Sequence, residues 1–114
     1  MKIEDVHFNA VICGRLAEKD METTISEKVM VGNAMGLHAR PAAQVVYIAN
    51  RFNADLKLRH TDGRSGEADC RSVLAMLMLA AAKDTVLELS ACGEDASAAL
   101  DAVADYFNRN FDEN

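Results

Sequence analysis

The sequence lacks the clustered cysteines and histidines that build metal sites. Its three cysteines are widely spaced, are odd in number and form no C-x-x-C pair. Its three histidines include no pair four residues apart, the spacing that places two ligands on one helix face. The pattern indicates neither a disulfide framework nor a metal site, and it favours a reducing cytoplasm.

The sequence also lacks a surplus of basic residues. Lysine and arginine number 12 against 18 aspartates and glutamates, so the formal net charge is −6. Nucleic acids and anionic membranes attract basic surfaces, and neither is therefore expected as the principal partner. No apolar run approaches the length that spans a bilayer, so no membrane insertion is predicted. Protein partners remain.

What is present suits one compact domain. The chain has 114 residues, and 50% of them are hydrophobic. Residues 1–24 mix short apolar groups with charges at no clear period, and they lack the basic start and long apolar centre of a signal peptide. We interpret them as an N-terminal extension outside the domain, with Met21 as an alternative start, and we assign residues 25–114 to the domain itself.

Apolar periodicity within that domain predicts seven elements. Alternating residues indicate strands, and apolar residues recurring every three or four positions indicate helices. In order, the expected elements are a strand over 25–31, a helix over 41–52 ended by Asn53, a strand through Leu56 and Leu58, a more polar strand towards Ala68, a short helix from Ser72, a strand over 86–91, and a helix capped by Glu94 or Asp95. This order predicts an α+β fold with helices on one face of an antiparallel sheet. The acidic tail past Asn110 is expected to be solvated.

The most chemically distinctive stretch is Gly36-Leu37-His38-Ala39-Arg40-Pro41. The chain's single proline is suited to the first position of a helix, so His38 is expected at or just ahead of a helix N-terminus. The backbone N–H groups of Ala39 and Arg40 then favour an anion such as phosphate, and the Arg40 guanidinium adds charge. A neutral histidine there is a candidate nucleophile for a phosphoryl group. The alternative is an ordinary capping or surface histidine.

A second candidate surface lies in Val73-Leu74-Ala75-Met76-Leu77-Met78-Leu79, which carries too many apolar residues for one face of a short helix. Some of these side chains are expected to be exposed, either as surplus surface or as a docking site for a partner. Ser72 stands where this helix begins, and a plain N-cap is one interpretation of it.

These motifs resemble the HPr family, the histidine phosphocarriers of the bacterial phosphotransferase system. The resemblance rests on Gly36 to Ala42 as the active-site signature and on Arg71 to Leu79 as the second helix with its serine. The end of the chain, with Phe107-Asn108 and Phe111-Asp112-Glu113, resembles the nitrogen-related branch, NPr. The resemblance implies an open-faced β-sandwich, in which three helices cover one face of a four-stranded antiparallel sheet in the order βαββαβα.

The resemblance further implies that His38 carries the phosphoryl group on Nδ1 and that Arg40 stabilises it. An Enzyme I-type protein, or its nitrogen-related counterpart, would be the phosphoenolpyruvate-dependent donor, and an Enzyme IIA-type protein the acceptor. The chain would act as a monomeric carrier without a cofactor and without a small-molecule substrate of its own. Ser72 would be the regulatory serine, open to a serine kinase. The implied docking residues are Ala39, Ala43, Tyr47, Val73, Leu74 and Leu77.

Two other function classes remain as alternatives. The first is a regulatory HPr-like binding module that acts through protein contacts and phosphorylation of Ser72, although such relatives replace the histidine. The second is a metabolic enzyme, for which the sequence offers no second acid or base and no cofactor motif. The stretch between His38 and Ser72 is slightly longer than in the family, so the hairpin register between Arg59 and Ser72 stays open.

Overall fold

The computed structural model describes residues 24–64 and 66–113. The predicted N-terminal extension, apart from Thr24, lies outside the described residues. Within them no helix is both long and apolar enough to cross a membrane. Cys70 is a free, buried thiol whose pKa burial raises to about 12.

The described chain forms four strands and three α-helices in the predicted βαββαβα order. The elements are β1 (Ile25–Met30), α1 (Ala39–Ala49), β2 (Ala54–His60), β3 (Glu67–Asp69), α2 (Val73–Met78), β4 (Val86–Gly93) and α3 (Ala96–Asn108), followed by a short turn at Asn110–Asp112. All neighbouring strands are antiparallel, in the order β1-β4-β2-β3. The predicted α+β fold is therefore confirmed.

Alternation along the central strands gives the sheet one apolar face. In β2, Leu56 and Leu58 are buried, and their pairing partners Ala91 and Leu89 on β4 are buried as well. Because side chains in register share a face, these residues form a continuous apolar surface for the helices. The hairpin between β2 and β3 pairs Leu58 with Ala68, which determines the register that the sequence left open.

The helices cover that surface through their apolar stripes. Ala42, Val45 and Ala49 of α1 and Val103 and Phe107 of α3 are buried, as the periodicity predicted. Val46 and Phe52, which belong to the same predicted stripe, are only partly buried, and Ile48 is buried although the stripe did not include it. The start of α1 differs from the prediction, because the helix begins at Ala39 and places Pro41 in its third position. Proline is tolerated there, since the N–H groups of a first helical turn have no intrahelical partner.

The end of α1 also differs from the prediction, because Asn53 does not cap it. The helix ends at Ala49, and the Arg71 guanidinium donates to the carbonyl oxygens of Ala49 (3.1 Å), Phe52 (3.0 Å) and Ala54 (2.8 Å). Helix C-termini leave carbonyls without intrahelical donors, and a cation is favoured beside them. Arg71 thus joins the end of α1 to the start of α2.

The acidic tail is not solvated as predicted. Phe111 is buried and packs its ring against Tyr106, at 5.3 Å between centroids, and against Phe107, at 4.8 Å in an edge-on contact. Asn110, Phe111 and Asp112 all have positive φ, between 56° and 59°. This left-handed turn costs free energy at non-glycine residues, so the aromatic contacts of Phe111 must hold it in place. The turn directs the following residue, Glu113, towards the start of α1.

Candidate functional site

The loop before α1 is shaped by Gly36. Its φ is +72°, and a Cβ there would lie 2.5 Å from the carbonyl oxygen of Ala81. The next residue, Leu37, donates its N–H to that same oxygen at 2.9 Å. Only glycine permits both the left-handed backbone and this close approach. The loop therefore lies tightly against the segment after α2, and it presents His38 at the end of α1.

His38 is the N-cap residue of α1. Its backbone is extended and its carbonyl accepts the N–H of Ala42 at 3.0 Å, but its side chain makes no capping hydrogen bond. The side chain is 27% exposed. The N–H groups of Ala39 and Arg40 lie in the first turn, where no intrahelical acceptor exists. The predicted arrangement of a histidine beside free helix N–H groups is thus present.

The contact of the His38 ring was not predicted. Nε2 of His38 lies 3.1 Å from each carboxylate oxygen of Glu113. Glu113 was assigned to a solvated tail, and only the resemblance of the tail to the nitrogen-related branch could have drawn attention to it. The two side chains are 75 positions apart in sequence, beyond the reach of any local pattern.

Asn33 holds the carboxylate in turn. Its side-chain amide donates to Glu113 Oε1 at 2.8 Å and to the Gly36 carbonyl oxygen at 3.0 Å. Asn33 is buried, and these two bonds use both of its amide hydrogens. The hydrogen bond with His38, then that with Asn33, and the positive charge of Arg40 hold the pKa of Glu113 below its ordinary value. The carboxylate is therefore ionised at neutral pH.

Arg40 is the second residue of α1, its side chain is exposed, and it pairs with no other described side chain. Its charge nevertheless acts on the site, since it lowers the pKa of Glu113. A guanidinium that is close but uncommitted is free to bind the oxygens of an incoming anion.

The second predicted surface lies on α2. The Ser72 hydroxyl accepts the N–H of Ala75 at 3.0 Å, so Ser72 is an N-cap. Leu74 and Met78 are 68% and 73% exposed, and Leu77 is exposed as well, whereas Met76 is fully buried. The predicted excess of apolar residues on this short helix is thus present at its surface.

Helices α1 and α2 pack side by side in opposite directions. Arg71, just before α2, reaches the carboxyl end of α1, while Ala81, just after α2, contacts Leu37 at its amino end. His38 and Ser72 therefore lie towards opposite ends of the pair. The 11 residues of α1 give that helix a length of about 16 Å along its axis. The exposed candidate docking residues lie on these two helices: Ala39, Ala43 and Tyr47 on α1, and Leu74 and Leu77 on α2, with half-buried Val73 beside them.

Comparison with known proteins gives one consistent result. Residues 25–109 match the family described as the PTS HPr component phosphorylation site. Phosphocarrier protein NPr of Escherichia coli is 40% identical over 90 residues, which are 79% of this chain and 98% of that protein. Phosphocarrier protein HPr of Pseudomonas aeruginosa is 39% identical over 88 residues, covering 75% of this chain and 93% of that protein. The crystal structure of HPr from Bacillus anthracis superposes with a TM-score of 0.67 at 32% identity, covering 74% of this chain and 96% of the other.

Proposed function

Because this chain belongs to the HPr family of phosphotransferase-system phosphocarriers, we propose that His38 is the residue that accepts the phosphoryl group and passes it on. The observation that carries this assignment is the position of His38 at the exposed N-cap of α1, with no capping bond from its ring. Since the ring does not hold the helix together, its modification leaves the fold intact.

The surroundings of His38 suit a phosphoryl group. A neutral imidazole attacks phosphorus through a ring nitrogen, and the phosphoramidate that forms transfers its group readily. The negative charge on the phosphoryl oxygens is then met by the N–H groups of Ala39 and Arg40 and by the Arg40 guanidinium. Such positioning and charge stabilisation account for most of the catalysis in phosphoryl transfer.

The partners are proteins. The donor is an Enzyme I-type protein, or its nitrogen-related counterpart, and the acceptor is an Enzyme IIA-type protein, with the chain acting as a monomer in the cytoplasm. Membership of the HPr family supports this pair of partners, and the similarity to NPr proteins favours the nitrogen-related branch. The family match begins at residue 25, which supports a carrier domain over residues 25–114 with residues 1–24 as an extension.

The docking surface combines the exposed faces of α1 and α2. Ala39, Ala43 and Tyr47 are spaced four residues apart, so they lie along one exposed face of α1. Leu74 and Leu77 present apolar surface on the neighbouring helix. An exposed apolar patch beside the site is suited to a transient protein contact that brings the phosphorylated donor to His38.

Ser72 regulates this surface rather than the chemistry. Its place at the far end of the helix pair keeps a phosphate on Ser72 from contacting His38, whereas Val73 and Leu74 lie directly beside it. A serine kinase that modifies Ser72 adds a charge of about −1.5 to −2, which a helix N-terminus tolerates but an apolar interface does not.

Phosphorylation by a purified Enzyme I-type donor with labelled phosphoenolpyruvate tests the assignment. The His38→Ala variant is expected to take up no label and to keep its melting temperature, and the label on the native chain to be acid-labile. Equal labelling of the two proteins contradicts the assignment, and a native chain that takes up no label favours the binding module that acts through protein contacts and Ser72.

A comparison of Arg40→Ala with Arg51→Ala tests whether the transfer rate depends on the charge beside His38 or only on the net charge of the chain. Both arginines are exposed, and they lie at opposite ends of α1. A hydrogen bond from a charged donor contributes about 1.5–3 kcal/mol, so Arg40→Ala is expected to slow single-turnover transfer tenfold or more. Arg51→Ala is expected to leave the rate unchanged, and equal rates in the two variants contradict a role for Arg40.

A further inference from the structure

We propose that Glu113 is a positioning residue for His38: it keeps the ring proton on Nε2 and thereby makes Nδ1 the nucleophile. This inference rests on the proposed function of His38 and assigns a part of the same site to the C-terminal tail. No role for Glu113 was predicted from the sequence; the residue was mentioned only because the tail resembles the nitrogen-related branch.

The first argument is the hydrogen-bond chemistry of the pair. A neutral imidazole carries one hydrogen on one of its two nitrogens, and a carboxylate only accepts hydrogen bonds. Since both oxygens of Glu113 lie 3.1 Å from Nε2, the contact is favourable only when Nε2 bears the hydrogen. The lone pair of the neutral ring then resides on Nδ1. A ring without this contact would distribute the hydrogen between both nitrogens.

The second argument is that the carboxylate is itself held in place. Asn33 is buried and directs one amide hydrogen to Glu113 Oε1 and the other to the carbonyl of Gly36, within the loop that presents His38. The carboxylate is therefore tied to the same loop as the histidine. The lowered pKa of Glu113 agrees with a site that stabilises the ionised acceptor.

The third argument is that contacts along the tail hold Glu113 next to His38. Phe111 is buried between the rings of Tyr106 and Phe107, and Arg109 binds Asp112 at 2.9 Å. A Cβ at Gly32 would collide with the side chain of Asn110, so the tail lies against the start of the loop as well. Three successive left-handed residues that are not glycine are unfavourable unless the contacts they bring about compensate for the strain.

These contacts define a complete phosphoryl transfer step. The Nδ1 lone pair forms the new N–P bond as the bond between phosphorus and the phosphorylated donor protein breaks, and that electron pair returns to the donor. Positive charge develops on the His38 ring, where the Nε2 hydrogen remains bonded to the Glu113 carboxylate. No proton needs to leave the ring. The reverse step hands the group to the acceptor with the same hydrogen in place.

Nitrogen NMR of the His38 ring tests the proposal directly. In the ¹⁵N-labelled native chain at neutral pH, the neutral ring is expected to show a protonated Nε2 and an unprotonated Nδ1. Glu113→Ala is expected to remove this preference, and Glu113→Gln, which keeps an acceptor oxygen, to restore it. A protonated Nδ1 in the native chain, or an unchanged tautomer in Glu113→Ala, overturns the proposal.

Transfer kinetics supply the second readout. Glu113→Ala is expected to lower the rate of acceptance at saturating donor about tenfold with little change in KM, because the residue acts on the ring and not on docking. Asp101→Asn is the control, since it removes one exposed negative charge on α3 away from the ring. Label on a His38→Ala chain would refute the site as a whole. Label confined to His38 with a native rate in Glu113→Ala would refute the role of Glu113 alone.

Discussion

Arg71 is expected to be among the most important single residues for the stability of the two-helix surface. Its guanidinium donates to the carbonyls of Ala49, Phe52 and Ala54 and to Asn50 Oδ1 at 3.2 Å. A hydrogen bond from a charged donor contributes about 1.5–3 kcal/mol, but water partly replaces such bonds at a half-buried helix end. Arg71→Ala is therefore expected to cost about 3 kcal/mol of the free energy of unfolding.

Urea denaturation of three variants measures this cost. Arg71→Lys keeps the charge but not the planar fork of donors, so it is expected to recover only about 1 kcal/mol. Arg64→Ala removes an exposed arginine whose partner, Asp62, lies in the hairpin loop, and it is expected to change stability by less than about 0.5 kcal/mol. A loss below about 1 kcal/mol in Arg71→Ala, or equal losses for Arg71 and Arg64, would refute the reasoning.

Four further outcomes are expected. Leu74→Glu places a charge in the apolar patch and should weaken donor binding more than tenfold in a titration, about 1.4 kcal/mol, whereas unchanged affinity would dismiss the patch. Ser72→Asp should keep its melting temperature but accept phosphate more slowly at limiting donor, and a native rate or unfolding would leave Ser72 as a cap alone. Gly36→Ala should cost about 2 kcal/mol or more in urea denaturation, because it combines a left-handed φ with a backbone collision, and a cost below about 1 kcal/mol would refute that collision. The pKa of Glu113 is lower in the folded chain than in the unfolded chain, so acid protonates the unfolded chain first. The extra stability of the native chain over Glu113→Gln should therefore be complete above about pH 5 and should vanish as the pH falls through the lowered pKa of the folded chain. A stability difference that does not depend on pH would contradict the ionised contact.

Three matched variants serve as controls for these measurements. Met30→Glu introduces the same charge at a half-exposed apolar residue of β1, outside the helix pair, and should bind the donor normally. Ser97→Asp makes the same change in the first turn of α3 and should leave acceptance unaltered. Gly63→Ala has a φ of +83° but open space around its Cβ, so its smaller cost isolates the collision at Gly36.

Local patterns predicted most of the fold, because the spacing of apolar residues distinguishes strands from amphipathic helices. The apolar stripe ending in Phe107 and the cap at Ser72 both depend on neighbours within a few positions; the stripe was predicted, and the cap was one of the two interpretations of Ser72. The start of α1 was placed two residues late because His38 is not a usual N-cap residue. A phenylalanine in an acidic tail gave no periodic signal, so the burial of Phe111 could not be predicted. The hydrogen bonds of Arg71 to the end of α1 and the contact of Glu113 with His38 depend on tertiary packing, which the local spacing of residues does not predict.

The contact between His38 and Glu113 also bears on when the carrier becomes competent. A chain is synthesised from its N-terminus, so the histidine exists 75 residues before its carboxylate does. Until the last turn has formed around Phe111, the imidazole is present without the group that orients its hydrogen. The first helix and the final residues of the domain must come into contact before the site is complete. Any C-terminal truncation that removes Glu113 therefore leaves the histidine in place without the carboxylate that binds its ring.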